Sequence, residues 1–414
     1  MGMHEPLDQE QSRAVAHPGG PLLVLGAAGT GKTRVLAARF EWLVGQGTSP
    51  GAILMLMGSP SAASEMLIRL ETAIDQPYEE LRVSTFQGFA EALLHEEALE
   101  LGLDPDFGPV SAADRLAMLL ERIDELPLRH HEIRGNPAPL IGGFISRIDR
   151  LKQEMITAEE YRRYAHSLAA GQGGNPTDAD RAEADRELEF AAVYDHHDRM
   201  LQSQGALDSG DLILQAFRLL HEKPHVRRRQ AERIQHVLVD EYEDVNFAQA
   251  ALLKLLCSEH RNVTVAGDDD QGIHRFRAAA AKNLTDFELE YADATVARLE
   301  HDHRSAGQIR RAALAVVAPI PARLPKELAG REGGTVRFWH CLSERGEAQA
   351  VAREAERLVA AGTEPRQIAV LVRSTHGEGV VVTAALQERA LPARLTGSAA
   401  YFQRAEVRDV LAWL

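Results

Sequence analysis

The octapeptide GAAGTGKT at residues 26–33 fits the pattern G-x-x-x-x-G-K-[ST] and lies between an apolar run, LLVL, and a helical pattern, RVLAARFEWLV. That strand–loop–helix setting is what a phosphate-binding loop requires. Its backbone N–H groups can turn inward around phosphates, and the helix N-terminus adds its dipole. Gly26, Ala27, Ala28, Gly29, Thr30 and Gly31 are therefore candidate cradle residues. Lys32 is placed to reach β/γ oxygens, and Thr33 to ligate Mg²⁺. Such a loop needs a carboxylate site, and HVLVDEYED (236–244) offers one. Asp240 at the end of an apolar strand can hold the metal shell, and Glu241 can orient and deprotonate a water. Acid after a strand is weak evidence alone, since a solvated strand end is the default; the phosphate loop gives it weight. A third stretch, VAGDDDQGIHRFR (265–277), puts three aspartates and a glutamine directly before bases and an aromatic. Acid and base-aromatic need not compete if they face two different ligands.

These residues need a scaffold. Short apolar runs at 22–25, 53–57, 81–84, 236–240 and 262–267 alternate with helical patterns, which argues for a parallel α/β sheet. Two more runs, TVRFW (335–339) and IAVLV (368–372), follow the turn-rich segment PIPARLPKELAGREGG (319–334) and suggest a second α/β domain. Between about 90 and 220 the pattern is helical, as in AADRLAMLLERID (112–124) and LEFAAVYDHHDRMLQSQ (188–204), and reads as an insertion. Within it AAGQGGNPTDADRAEAD (169–185) reads as a loop. Trp42, Trp339 and Trp413 sit in apolar patterns and read as core. YFQRAEVRDVLAWL (401–414) has an amphipathic helix pattern that stops without a cap, which suggests a longer chain.

Composition sets broad limits. The 414 residues suffice for two to four domains. With 46 basic and 61 acidic residues, the net charge of −15 argues against a generally basic nucleic-acid binder but not against a local basic patch. The cysteines, Cys257 and Cys341, have no CxxC spacing, and no apolar run is long enough for a membrane span. A cytoplasmic protein is expected, with no membrane partner. The histidine pairs 130/131, 196/197 and 301/303 lack convincing ligand spacing. RRRQAER (227–233) reads as a solvated helix face more readily than as a phosphate patch.

Six stretches in order, LDQEQSRAV (7–15), GAAGTGKTR (26–34), VSTFQGFA (83–90), VLVDEYEDVN (237–246), VAGDDDQGIHRFRAA (265–279) and RLEHDHRS (298–305), resemble superfamily 1A DNA helicases of the UvrD/Rep/PcrA type. The resemblance continues to ALPARLTGSAAYFQRAEVRDVLAWL (390–414). It implies RecA-like P-loop NTPase domains: domain 1A over 1–90 and 211–280, a helical insertion 1B over 91–210, the first part of 2A over 281–397, and the start of 2B over 398–414. It implies ATP and Mg²⁺ as ligands and movement in the 3′-to-5′ direction on single-stranded DNA. Single-stranded and partly duplex DNA would be the partner, with a helicase–nuclease or repair assembly as a further partner class. By resemblance, Gln11 reads adenine, Arg34 lies near the nucleotide and His303 stacks on the base. Gln271 senses the γ-phosphate, and Arg304 is an arginine finger from 2A. Gln87, His274, Phe276, Arg277 and Arg373 face DNA by the same resemblance, although Arg373 equally reads as a strand cap.

The departures are local. Where the family reads close to TFTNKAAxEM, this chain has MGSPSAASEM (57–66), so Gly58 and Ser61 replace an aromatic and a lysine. That removes one stacking surface and one phosphate contact. Gln87 stands for histidine, Glu243 for the glutamine of DExQ, and His303 for tyrosine; His274 and Arg275 replace the usual tyrosine and glycine or arginine. The hydrolysis residues are thus kept better than the DNA-stacking ones. A nucleotide-dependent DNA-binding or regulatory subunit of a helicase–nuclease complex is the competing reading.

Overall fold

The computed structural model describes residues 6–74, 80–133, 135–170, 177–272, 282–321, 323–375, 377–396, 410 and 413. The chain divides into two compact units, Met1–Gly334 and Thr335–Leu414.

In the first unit the apolar runs at the centre of the sheet become strands that are sealed on both faces. In chain order the strands are β1 (Leu22–Gly26), β2 (Ile53–Leu56), β3 (Arg82–Ser84), β4 (Gly108–Pro109), β5 (Ala206–Leu207), β6 (His236–Val239), β7 (Val263–Gly267), β8 (Thr295–Leu299), β9 (His301–Asp302) and β10 (Ala329–Gly330). Six of them form one parallel sheet in the order β3-β2-β6-β7-β1-β8. Side chains alternate across it. Leu23, Leu25, Leu54, Leu56, Val237 and Val239 pack one core with Leu93, Leu219 and Leu253 from helices. Leu22, Val24, Ile53, Met55 and Leu238 pack the other with Val35, Phe40 and Leu70. Burial on both faces is the rule for parallel strands. Arg39, fully buried, ties the second core to the N-terminal helix: it donates to the carbonyls of Val15 and His17 and to Thr264 Oγ1.

Helix α1 (Gln9–Val15) precedes β1, and α2 (Lys32–Gly45), α3 (Pro60–Ala73) and α4 (Phe86–Glu96) follow β1, β2 and β3. The insertion is helical as expected and has its own core, in which Phe144, Ile148, Phe190 and Tyr194 are buried. One part departs from expectation. Residues 177–185 are not loop: Thr177 and Asp180 form a capping box that starts helix Asp178–Ser203. Acidic residues near a helix N-terminus favour its dipole, which outweighs their loop-like composition. The arginines of 227–233 lie on helix Pro224–Arg233, where Arg227, Arg229 and Arg233 pair with Glu259, Glu97 and Glu96.

The sheet runs past the boundary expected at residue 280. Strand β8 pairs with β1 from Leu22↔Thr295 to Gly26↔Leu299, and the first unit continues to Gly334. The turn-rich segment 319–334 is the better marker of the division. In the second unit, helices Glu344–Ala360 and Glu378–Gln387 pack through Ala348, Ala352, Ala355 and Ala385. The runs 335–339 and 368–372 are not strands in the structure. A strand exists only through ladder partners, and hydrophobicity without a partner does not make one. Trp339 is half exposed and Trp413 is 94% exposed, so neither is core; Trp42 packs against the second core. The 398–414 segment lies outside the described residues apart from positions 410 and 413.

No helix among the described residues is long and apolar enough to cross a membrane.

Candidate nucleotide site

In a parallel sheet of this kind, ligands bind at the carboxyl ends of the strands. Here the adjacent strands β6, β7 and β1 carry the candidate residues at those ends. The phosphate loop leaves β1, Asp240 and Glu241 follow β6, and Asp268–Gln271 follow β7.

The loop turns through Gly29 and Gly31, both at φ 85°, a region costly for other residues. Space excludes side chains as well. A Cβ on Gly29 would fall 2.1 Å from Asp302 Oδ1, and one on Gly31 2.8 Å from Gln11 Nε2. Thr30 Oγ1 donates to the Ala27 carbonyl at 2.8 Å and braces the turn. Lys32 Nζ donates to the carbonyls of Gly26 at 2.8 Å and Ala27 at 3.3 Å, so its ammonium lies over the cradle. Ala28 is exposed at the rim.

Thr33 Oγ1 donates to Asp240 Oδ2 at 2.6 Å, which joins the phosphate loop to the β6 carboxylate. Burial pushes the Asp240 pKa up, against the Thr33 hydrogen bond that lowers it. Two hard oxygen donors side by side, one of them a buried carboxylate, fit Mg²⁺. Glu241 is exposed and has left-handed backbone, φ 54° and ψ 47°. A Cβ at position 58 would lie 2.1 Å from Glu241 Oε2. The volume that an aromatic would need at Gly58 is therefore occupied by the Glu241 carboxylate.

Glu243 is buried and accepts the Asp268 N–H at 3.1 Å. Burial raises its pKa to about 7. A protonated carboxyl offers one donor and one acceptor, as the expected glutamine amide would. Gln271 Nε2 donates to Asp268 Oδ2 at 2.7 Å.

Two sites reach the loop from elsewhere. Gln11 is buried and donates to the Thr30 carbonyl at 2.9 Å, while Asp8 caps its helix in a reciprocal box. His303 N donates to the Gly29 carbonyl at 3.0 Å, and its Nε2 lies 2.8 Å from Asp8 Oδ2. Asp302 Oδ1 accepts the N–H groups of Arg304 and Ser305, both at 2.9 Å. Arg304, expected on the second RecA-like domain, belongs to the first unit and stands exposed beside Gly29. Arg34, on the first turn of α2, borders Gly31.

Two comparisons bear on this arrangement. The UvrD/REP helicase N-terminal domain matches residues 7–292. The chain belongs to the UvrD/REP helicase family. The UvrD-like helicase C-terminal domain matches residues 297–414. Among UvrD/REP relatives, "ATP-dependent DNA helicase PcrA" of Staphylococcus epidermidis is 29% identical over 413 residues. The protein of the same name from Staphylococcus aureus is 30% identical over 414 residues. Both alignments cover 99% of this chain and 53% of the relative, so the chain spans about half the length of the curated relatives it matches.

The expected DNA-facing residues are more scattered. Gln87, on the first turn of α4, is half buried at a crevice lined by Lys152, Gly210 and Asn246. Arg373 is exposed in the second unit, where its N–H donates to Glu378. His274, Phe276 and Arg277 lie outside the described residues. Asp8 and Asp302 also stand at this candidate site, outside the residues that the sequence singles out. The D-x-x-Q spacing of Asp8 and Gln11 does announce a capping box; nothing local announces Asp302.

Proposed function

We propose that the chain is part of an ATP-dependent DNA helicase. It would move 3′ to 5′ on single-stranded DNA and couple Mg-ATP hydrolysis to duplex unwinding in repair or recombination. The Thr33–Asp240 hydrogen bond at 2.6 Å carries this reading, because it unites the phosphate loop and the carboxylate strand in one site.

Bound Mg²⁺ would neutralise phosphate charge, and Thr33 and Asp240 would hold it. Lys32 would exchange its two loop carbonyls for phosphate oxygens. Glu241, exposed at the strand end, would accept the proton of the attacking water. Gln271 and Arg304 would meet the developing γ-phosphate charge. Gln11, Arg34 and His303 would border the nucleotide, with His303 steered by Asp8. On the DNA side, Gln87, His274, Phe276, Arg277 and Arg373 are the proposed contacts.

The test is DNA-stimulated ATPase activity of the full-length protein beside Lys32→Ala and Glu241→Gln. Each substitution is expected to reduce turnover by roughly 100-fold or more. Wild-type activity no higher than that of the variants rejects the reading. The occupied space at Gly58 and the serine at position 61 favour one alternative, a nucleotide-dependent DNA-binding or regulatory subunit of a helicase–nuclease assembly. ATP binding without turnover, together with co-purification of a nuclease partner, would select it.

A further inference from the structure

The aspartate triplet has partners outside every recognised motif. Residues 323–326 of the turn-rich segment lie against it within the first unit. Lys326 Nζ lies 2.7 Å from Asp268 Oδ1, 2.5 Å from Asp269 Oδ1 and 2.8 Å from Asp270 Oδ2. An ammonium has three N–H donors, and three carboxylates surround this one. The Lys326 side chain is only 5% exposed. Arg323 grips Asp270 with two bonds, Nε to Oδ1 at 2.9 Å and Nη2 to Oδ2 at 2.6 Å. The Leu324 N–H donates to Asp269 Oδ2 at 2.6 Å.

Three carboxylates on successive residues, two of them buried, repel one another, and these cations offset that repulsion. Burial opposes the charge on Lys326, but the three carboxylates outweigh it and hold its pKa above the usual lysine value. The arrangement also has a direction. Asp268 gives one oxygen to Lys326 and the other to the Gln271 amide. Lys326 thus fixes the carboxylate that fixes Gln271.

We propose that Lys326, assisted by Arg323, is a positioning residue for Gln271. It latches segment 319–334 onto the Asp268–Gln271 turn and so sets the orientation of the glutamine amide. The inference rests on the ATP-hydrolysis reading above for its consequence, but not for the latch itself.

The experiment has two arms on the full-length protein. In the first, amide hydrogen exchange is followed without nucleotide over residues 263–272 and 319–334. Lys326→Met should speed exchange in both segments by roughly 10-fold, and Arg323→Met by about 3-fold, since it touches Asp270 alone. In the second arm, Lys326→Met should lower kcat roughly 10-fold while KM for ATP moves by less than about 2-fold. Lys326→Arg should recover most of the loss. Added to Gln271→Ala, Lys326→Met should cost nothing further, because it acts through that residue. Unchanged exchange in both variants overturns the latch. A full additional loss in the double variant overturns the positioning role. If Lys326→Met does not fold, Arg323→Met decides the exchange arm. If the wild type turns over no ATP, the functional reading fails while the exchange arm still judges the latch.

Discussion

Two lysines in the first unit are buried among aspartates, and they do different things. Lys152 Nζ lies 2.9 Å from Asp208, 2.6 Å from Asp211 and 3.1 Å from Asp198. Lys326 has the same kind of shell of three carboxylates. Around Lys152 the acids are committed to architecture. Asp208 caps helix Ser209–Glu222 and also meets Arg115, which grips Asp149 with two bonds. That cluster staples helix Ala112–Glu121 to Ala138–Gln153, Asp178–Ser203 and Ser209–Glu222. Around Lys326, one carboxylate oxygen passes on to a glutamine at the candidate nucleotide site. Burial and charge alone do not separate a staple from a site device; the destination of the last hydrogen bond does.

The contrast breaks most sharply at Lys152. Lys152→Met leaves Asp208 and Asp211 without their ammonium and should cost roughly 3–5 kcal/mol of stability, measured by urea denaturation, with nucleotide affinity of the folded fraction unchanged. A loss under about 1 kcal/mol would remove the staple from the comparison.

Glu243 gives the next effect, as a buried acid that holds a proton instead of meeting a lysine. Its folded pKa of about 7 lies above the ordinary 4.5. The native state therefore binds the extra proton between those values, and stability falls as pH rises from 4.5 to 7 and stays low above. Glu243→Gln should abolish that decline. It should raise stability at pH 8 by on the order of 2–3 kcal/mol and change little at pH 4.5, in denaturation at both pH values. An equal gain at both would mean packing and not the proton.

The smallest effect belongs to an exposed pair. Arg233 meets Glu96 with both side chains well exposed. Arg233→Ala should change stability by less than about 1 kcal/mol in the same assay and leave DNA affinity where it was. A marked fall in DNA affinity would turn this solvated face into a phosphate contact.

What could be read from the residues in advance follows a physical line. The phosphate loop, the β6 carboxylates and the glutamine after β7 are local: motif, strand and turn lie within a dozen residues, so spacing exposes them. The buried strands were legible because sealing on two faces demands continuous apolar runs. The membership of β8 was not, since pairing of Thr295–Leu299 with β1 is decided by geometry across the chain. The same holds for runs 335–339 and 368–372, whose hydrophobicity says nothing about whether a ladder partner exists. Lys326 is the plainest case. In PIPARLPKELAGREGG it is an ordinary turn-region lysine, and only the return of that segment to β7 gives it three carboxylates. At Gly58 the sequence shows the aromatic to be absent, but not that a Cβ there would meet the Glu241 carboxylate.

The left-handed backbone of Glu241 has an evolutionary corollary. A glutamate pays a conformational penalty at φ 54° that glycine would not and that asparagine bears more easily. Drift without selection on this carboxylate would therefore run downhill, toward chains that are sturdier and lack the proposed base. Among natural variants of this protein, glycine or asparagine at 241 would mark lineages released from turnover, and their higher melting temperatures would be the trace of that release.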